Sequence, residues 1–199
     1  MAWVWDLPRE TEFDADFDYK ASAPMDFTEY LSDKPVEAWL RPVFRSRSKL
    51  SRFKKLHCPP FSASIAIDSV WREIVEKFVP PSRVQFLPVR LIARGEICDD
   101  YMWIIPFDRV TCIDKHKSVV TRKHETPNGT LIFGVHSIVH FPDCLGNLHL
   151  ARDSQMRSHI VISDELKEAL SATGQDSPFY RPEDVENLDS LIGSRRSSH

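Results

Sequence analysis

Residues 101–122 read YMWIIPFDRVTCIDKHKSVVTR, and residues 130–139 read TLIFGVHSIV. Val, Ile, Phe, Tyr and Thr crowd these stretches, and their branched or aromatic side chains fit a pleated surface better than a helix. Turn-forming clusters divide them: Asp114-Lys-His-Lys117 within the first, and Pro127-Asn128-Gly129 between the two. The pattern predicts strands over 101–106, 109–113, 118–122 and 130–139, with another over 84–93 ahead of the turn at Asp99-Asp100. Connections this short suit antiparallel neighbours, because a parallel pair needs a crossover of about a dozen residues or more. An antiparallel β-meander is therefore expected at the centre of the chain.

Outside the meander the periodicity changes. Val70, Trp71, Ile74, Val75 and Phe78 fall on one stripe of a helix over 69–79, with Arg72, Glu73, Glu76 and Lys77 opposite. Asp68 or Ser69 can cap its start, and Pro80-Pro81 ends it. A second helix is expected over 164–172. Ser163 is its N-cap, Asp164 and Glu165 suit the positive end of the helix dipole, and Gly174 can supply a left-handed turn at its end. Antiparallel strands flanked by two helices make an α+β fold. The helical regions also echo one another. Ile65-Ala-Ile67-Asp68-Ser-Val-Trp71-Arg72-Glu73-Ile74-Val75 aligns with Ile160-Val-Ile162-Ser163-Asp-Glu-Leu166-Lys167-Glu168-Ala169-Leu170, and Phe86-Leu-Pro88 with Tyr180-Arg-Pro182. The echo points to two related strand-helix-strand units; the alternative is that any two capped amphipathic helices look alike.

The 199 residues are 42% hydrophobic and 11% aromatic, with five Trp and twelve Phe, which supplies a core and excludes a disordered chain. A net charge of −3 and a pI near 6.2 give no global pull toward nucleic acid or anionic membranes. Apolar runs such as 101–107 are too short for a transmembrane helix, and no membrane partner is expected. The first residues have neither the basic nor the long apolar stretch of a signal peptide, so a cytoplasmic protein is expected. Cys58, Cys98, Cys112 and Cys144 stand apart without a CxxC pair and are expected as reduced thiols.

The helical echo carries a family resemblance. Ile160-Val-Ile-Ser163-x-x-Leu166-Lys-Glu-Ala-Leu170, followed by Phe179, Tyr180 and Pro182, resembles the eleventh immunity family of bacterial polymorphic toxin systems. That family takes its name from a Myxococcus immunity protein and was earlier a domain of unknown function. Ile65-x-Ile-Asp68, Val84-Gln-Phe86-Leu-Pro88-Val89, Tyr101 and Ile113-Asp114-x-x-Lys117-Ser118 are similar to its first half and central strands. Ser177 replaces the glycine usual shortly before the final aromatic. The resemblance implies an immunity-like α+β core over 61–190, with 1–60 as the loosely matched N-terminal part of the same domain and 191–199 as a flexible tail. It implies a bacterial, cytoplasmic, non-catalytic protein without cofactor that neutralises a cognate toxin by stoichiometric binding. A homo-oligomer stays open.

Two charged segments are candidates for partner binding. Asp14, Asp16, Asp18 and Glu29 belong to an acidic, aromatic N-terminal region whose short alternation suits an edge strand or an extended arm. Carboxylates there complement a basic toxin surface, with Trp3, Trp5, Phe13 and Phe17 either as apolar anchors or packed on their own domain. Residues 41–55 invert the charge: Arg41, Arg45, Arg47, Lys49, Arg52, Lys54 and Lys55 occur with no acid among them. Arg45, Arg47 and Arg52 are the basic candidates for partner contact. An alternative reading gives 41–55 to nucleic acid, the cations on phosphates and Phe44 and Phe53 stacked on bases, but the acidic balance of the whole argues against it.

A small metal-dependent enzyme is a third reading, resting on His136 and His140. On a strand those residues share a face but stand about 13 Å apart, too far for one metal, so they read as polar-face or core histidines. Asp108, His116 and Ser118 are one of many triples that would need geometry to become catalytic. No Gly-rich phosphate loop and no GxSxG elbow occur.

Overall fold

Asp68 shows how the local rules operate. Its carboxylate accepts from the Trp71 backbone N–H at 3.1 Å, and helix α3 runs from Ser69–Phe78 until the chain turns extended at Val79 before Pro80. The computed structural model describes residues 2–5, 15–25, 31, 34–62, 65–127, 129–175 and 178–184. Asp14, Glu29, Phe13, Ser177 and the tail 191–199 lie outside them. The protein is mixed α+β with sheets rich in antiparallel pairs, and it divides into two compact units.

One unit comprises residues 7–107 and 168–178. Strand β2 (Asp16–Phe17) runs antiparallel to β3 (Val43–Ser46), which lies parallel to β6 (Arg90–Ala93), and β7 (Glu96–Cys98) closes this sheet. A three-stranded sheet has β8 (Met102–Pro106) at its centre, between β4 (Ala66–Ile67) and β5 (Val84–Pro88). Short helices α1 (Tyr19–Ser22) and α2 (Leu50–Phe53) complete the unit. The expected strand over 84–93 is two strands in different sheets. It breaks after Pro88, which has no N–H to continue the ladder; Val89 then donates to Tyr101 and Arg90 to Pro42. A two-residue turn, Arg94 at φ +51° and Gly95 at φ +88°, joins β6 to β7, the positive φ pair that a tight right-twisted hairpin requires. The core is aromatic. Phe44 stacks on Phe61 at 4.6 Å and meets Trp103 edge-on at 5.8 Å, while Phe53 and Tyr101 also contact Phe61. In α3, Trp71 and Val75 are fully buried but Val70 is exposed, because its position points about 100° away from Trp71.

The other unit comprises residues 1–6, 108–167 and 179–199. Its five-stranded sheet runs β14 (Phe179–Tyr180), β1 (Ala2–Trp5), β13 (Ile160–Ser163), β12 (Leu150–Asp153) and β9 (Arg109–Val110). The N-terminal segment is therefore not an edge or a loose arm at Ala2–Trp5: β1 is an interior strand with partners on both sides. Strands β10 (Val119–Thr126) and β11 (Gly129–Ser137) form a separate hairpin about the turn anticipated at 127–129. The meander's strands are thus dealt into four sheets, three of which contain pairings distant in sequence.

The helical echo has a counterpart in each unit. In one, β4 leads directly into α3, and β4 and β5 flank β8, antiparallel to it on both sides. In the other, β13 leads into α4 (Asp164–Ser171), and β13 and β14 flank β1 in the same sense. Ser163 accepts from the Leu166 N–H at 3.3 Å as Asp68 does from Trp71. Trp103 stands opposite Ala66 and Leu87, and Val4 opposite Val161 and Tyr180. Following that register one step, Phe86 corresponds to Phe179, not to Tyr180, so the sequence alignment is off by one residue there.

Candidate functional site

The charged segments singled out in the sequence meet on the β2–β3 pair. Asp16 lies directly across from Arg45, and Asp18 forms an ion pair with the Arg45 guanidinium. Asp18 also accepts from the Ala21 N–H at 2.9 Å as the cap of α1. That backbone donor, followed by Arg45, holds the Asp18 carboxyl below the usual carboxylate range. Two of the proposed contact residues are therefore occupied with one another.

Beyond Arg45 the chain presents a cationic strip. Arg47, Lys49, Arg52, Lys54 and Lys55 are exposed, and Arg47, Lys49, Lys54 and Lys55 make no ion pair with any described residue. Arg41 is different: it binds Asp99 at 2.7 Å, a carboxylate it shares with Arg90. The apolar residues between the cations turn inward, with Phe44, Leu50 and Phe53 all buried. They are not available to stack on bases, which corrects the nucleic-acid reading of this segment. The strip is held from beneath. Tyr101 donates to the carbonyls of Phe53 at 2.6 Å and Leu56 at 3.2 Å, and its burial pushes the phenol pKa up. Arg94 Nε donates to the Arg47 carbonyl at 2.6 Å.

Among the described residues, the aromatic anchors Trp3, Trp5 and Phe17 are spent on the fold. Trp5 is buried edge-on to Phe179 at 5.3 Å. Trp3 donates to Asp164 at 2.7 Å and carries the Lys167 ammonium over its ring at 4.6 Å. Phe17 packs against Phe44, Tyr19 and Trp103.

The expectation of four reduced thiols is corrected at Cys112 and Cys144, which lie close to His140. Strand β11 ends at Ser137, so His136 sits exposed in it while His140 lies beyond, bridged to Ile113. That bridge places His140 beside Cys112, which is joined to Cys144 as a disulfide, with Cα atoms 5.0 Å apart. Cys58 and Cys98 remain free and buried. Cys112, His140 and Cys144 each bring one donor atom within 4.8 Å of the others. His140 Nε2 and His159 Nε2 share a hydrogen bond of 2.9 Å. Burial pushes the His159 imidazole down to about 4; burial and the neighbouring His159 push His140 down to about 3. Beneath them Asp153 is fully buried, its carboxylate accepting from the N–H groups of Cys112, Ile113, Gln155 and Met156 at 2.7–3.2 Å. Ser118 is no nucleophile, since its hydroxyl is taken up by the backbone of Val139, and His116 is exposed.

The family model described as "Immunity protein family (Imm11)" matches residues 71–189, more than half of the chain. The chain belongs to the Imm11 immunity protein family. No curated protein matches it. The matched stretch of this Imm11 protein opens in α3 and runs through β14, so it spans both helices of the internal echo. The cationic strip at 45–55 and strands β1 and β2 lie ahead of it. Family membership implies a role in toxin immunity. No helix among the described residues is long and apolar enough to cross a membrane.

Proposed function

We propose that this Imm11 protein binds one cognate bacterial toxin and neutralises it by stoichiometric, non-catalytic inhibition. The family match over 71–189 carries the reading. The contact face we assign is the β2–β3 edge with α2, taking in Asp16, Asp18, Arg45, Arg47 and Arg52; Asp14 and Glu29, outside the described residues, are proposed as contacts from the sequence alone. Two features support that face. Its cations are exposed on backbone that Tyr101 and Arg94 hold in place, and an ordered charge is a better docking element than a mobile one. It also lies ahead of the stretch matched by the family model, where features peculiar to one toxin partner can differ while the shared core does not. A strip of this sign complements an acidic patch, and its contribution falls mainly on association rate and partner choice.

Co-expression tests the reading. The neighbouring reading frame, the toxin candidate, is expressed alone and with this protein, and growth and co-purification are scored in the same cells. Killing by the neighbour alone, with rescue accompanied by a one-to-one complex, is expected. A harmless neighbour, or rescue without a stable complex, would sink sequestration. The double substitution Arg47→Glu with Lys49→Glu then tests the face itself. We expect affinity for the toxin to fall by about tenfold or more, because like charges set against each other are strongly unfavourable. Unchanged affinity would move the contact elsewhere on the molecule.

A further inference from the structure

Cys112 lies far in sequence from His140 and Cys144, yet each of the three offers a donor atom within 4.8 Å of the other two. Cys112 is buried and the other two are half-buried. The histidine is oriented: its Nε2 is held by His159 at 2.9 Å. Its Nδ1 is buried and has no hydrogen-bond partner among the described residues. A buried ring nitrogen left in that state is unfavourable unless something takes its lone pair. The Cys112 backbone is equally fixed, since its N–H and that of Ile113 both end on the buried Asp153 carboxylate, at 2.8 and 3.2 Å. His140 is bridged to Ile113, and the Phe141 N–H returns to the Cys112 carbonyl at 2.7 Å.

We propose that the reduced protein binds one zinc ion through Cys112 Sγ, Cys144 Sγ and His140 Nδ1, with a fourth position open to water or an external donor. Two thiolates and an imidazole are a donor set that selects zinc over magnesium or calcium. The hydrogen bond from the far side of the ring to His159 is the outer-shell support that ligating histidines generally have. The disulfide and the metal are alternatives at the same two sulfurs. A dithiol reductant transfers two electrons and two protons to the S–S bond, leaving two thiols here and a disulfide on the reductant. Zinc then displaces both thiol protons to solvent as two Zn–S bonds form, with no change in the oxidation state of the metal. Oxidation of the two thiolates by a disulfide-donating oxidant reverses the sequence and releases the ion.

The test uses the full chain, reduced with a trialkylphosphine and titrated with cobalt(II) as the spectroscopic stand-in for zinc. A thiolate-to-cobalt charge-transfer band should rise, saturate at one equivalent and be abolished by added zinc; the oxidised protein should show none. Cys112→Ser and Cys144→Ser should lose the band, while Cys58→Ser and Cys98→Ser should keep it. His140→Ala should weaken the metal by at least the 10–100-fold, roughly, that even an outer-shell partner commands. The unvaried protein gives a second measurement that no folding defect can confuse. Zinc should shield Cys112 and Cys144 of the reduced chain from iodoacetamide, read peptide by peptide by mass spectrometry. The absence of a saturating band in the reduced chain would overturn the site, as would a band that survives Cys144→Ser or equal alkylation with and without zinc.

Discussion

Asp153 forms no ion pair with any described residue: fully buried, its carboxylate is matched by four backbone N–H groups drawn from two distant segments. Half of this was visible in the sequence, since an Asp readily bonds the N–H groups two and three residues on, here Gln155 and Met156. The bonds to Cys112 and Ile113, some forty residues away, were not. Replacing Asp153 by Ala strands up to four buried donors, and a loss of about 4 kcal/mol is expected in urea unfolding. The His140–His159 pair gives a pH prediction. Both rings are held neutral in the folded protein, their pKa values at about 3 and about 4, below the ordinary 6.5. The unfolded chain therefore takes up protons first, and stability is lost as pH falls from about 6.5 toward those values. Unfolding free energies at pH 7 and pH 5 should differ by about 3–4 kcal/mol in the oxidised protein, with a matching shift of the urea midpoint. A midpoint that does not move would mean that the pair is protonated in the fold.

At the scale of elements the helices were legible and the strand partners only in part. Asp68 and Ser163 cap α3 and α4 as their sequence positions imply, because a cap is made within three residues of itself. Asp68 also receives His57 Nδ1 at 2.7 Å, so Asp68→Ala should cost about 1–2 kcal/mol, read as a fall in Tm. Ser163→Ala should cost less, since its cap bond is longer, at 3.3 Å against 3.1 Å. The expected meander kept two of its antiparallel pairings, β5 with β8 and β10 with β11, while β6 and β9 went to other sheets. Period-two patterning identifies a strand but says nothing of its neighbour. Pro88 splits the 84–93 segment between two sheets, and the Arg94-Gly95 turn leads β6 back as β7 in one of them. The strand-helix-strand echo survives because each copy inserts one strand between its own two. That inserted strand is β8 from downstream in one unit and β1 from the chain's start in the other.

Across the whole molecule, the Cys112–Cys144 disulfide closes a 32-residue interval containing the β10–β11 hairpin. Restricting a loop of that length in the unfolded chain stabilises the fold by about 3–4 kcal/mol in the chain-entropy model. Reduction without metal should therefore lower the urea midpoint, whereas reduction of a Cys144→Ser variant should change nothing further. The cationic strip makes a prediction at the same scale. If it steers a toxin, complex formation should slow with added salt, and Arg47→Glu with Lys49→Glu should flatten that dependence. Stopped-flow association at two ionic strengths measures both.

Read alone, the chain determined the α+β class, the two capped helices with their apolar faces, the family and the position of the two charged segments. All of these depend on residues within a turn or two of one another, or on short motifs. Tertiary structure decided what lies beyond that reach. It turned Phe44 and Phe53 into core and Arg47 and Lys49 to the outside. It paired Asp18 with Arg45 and set β1 between two strands from the other end of the chain. It also gathered Cys112, His140 and Cys144 around one point. Such contacts are settled by which apolar faces bury together, and that choice is made by the chain as a whole.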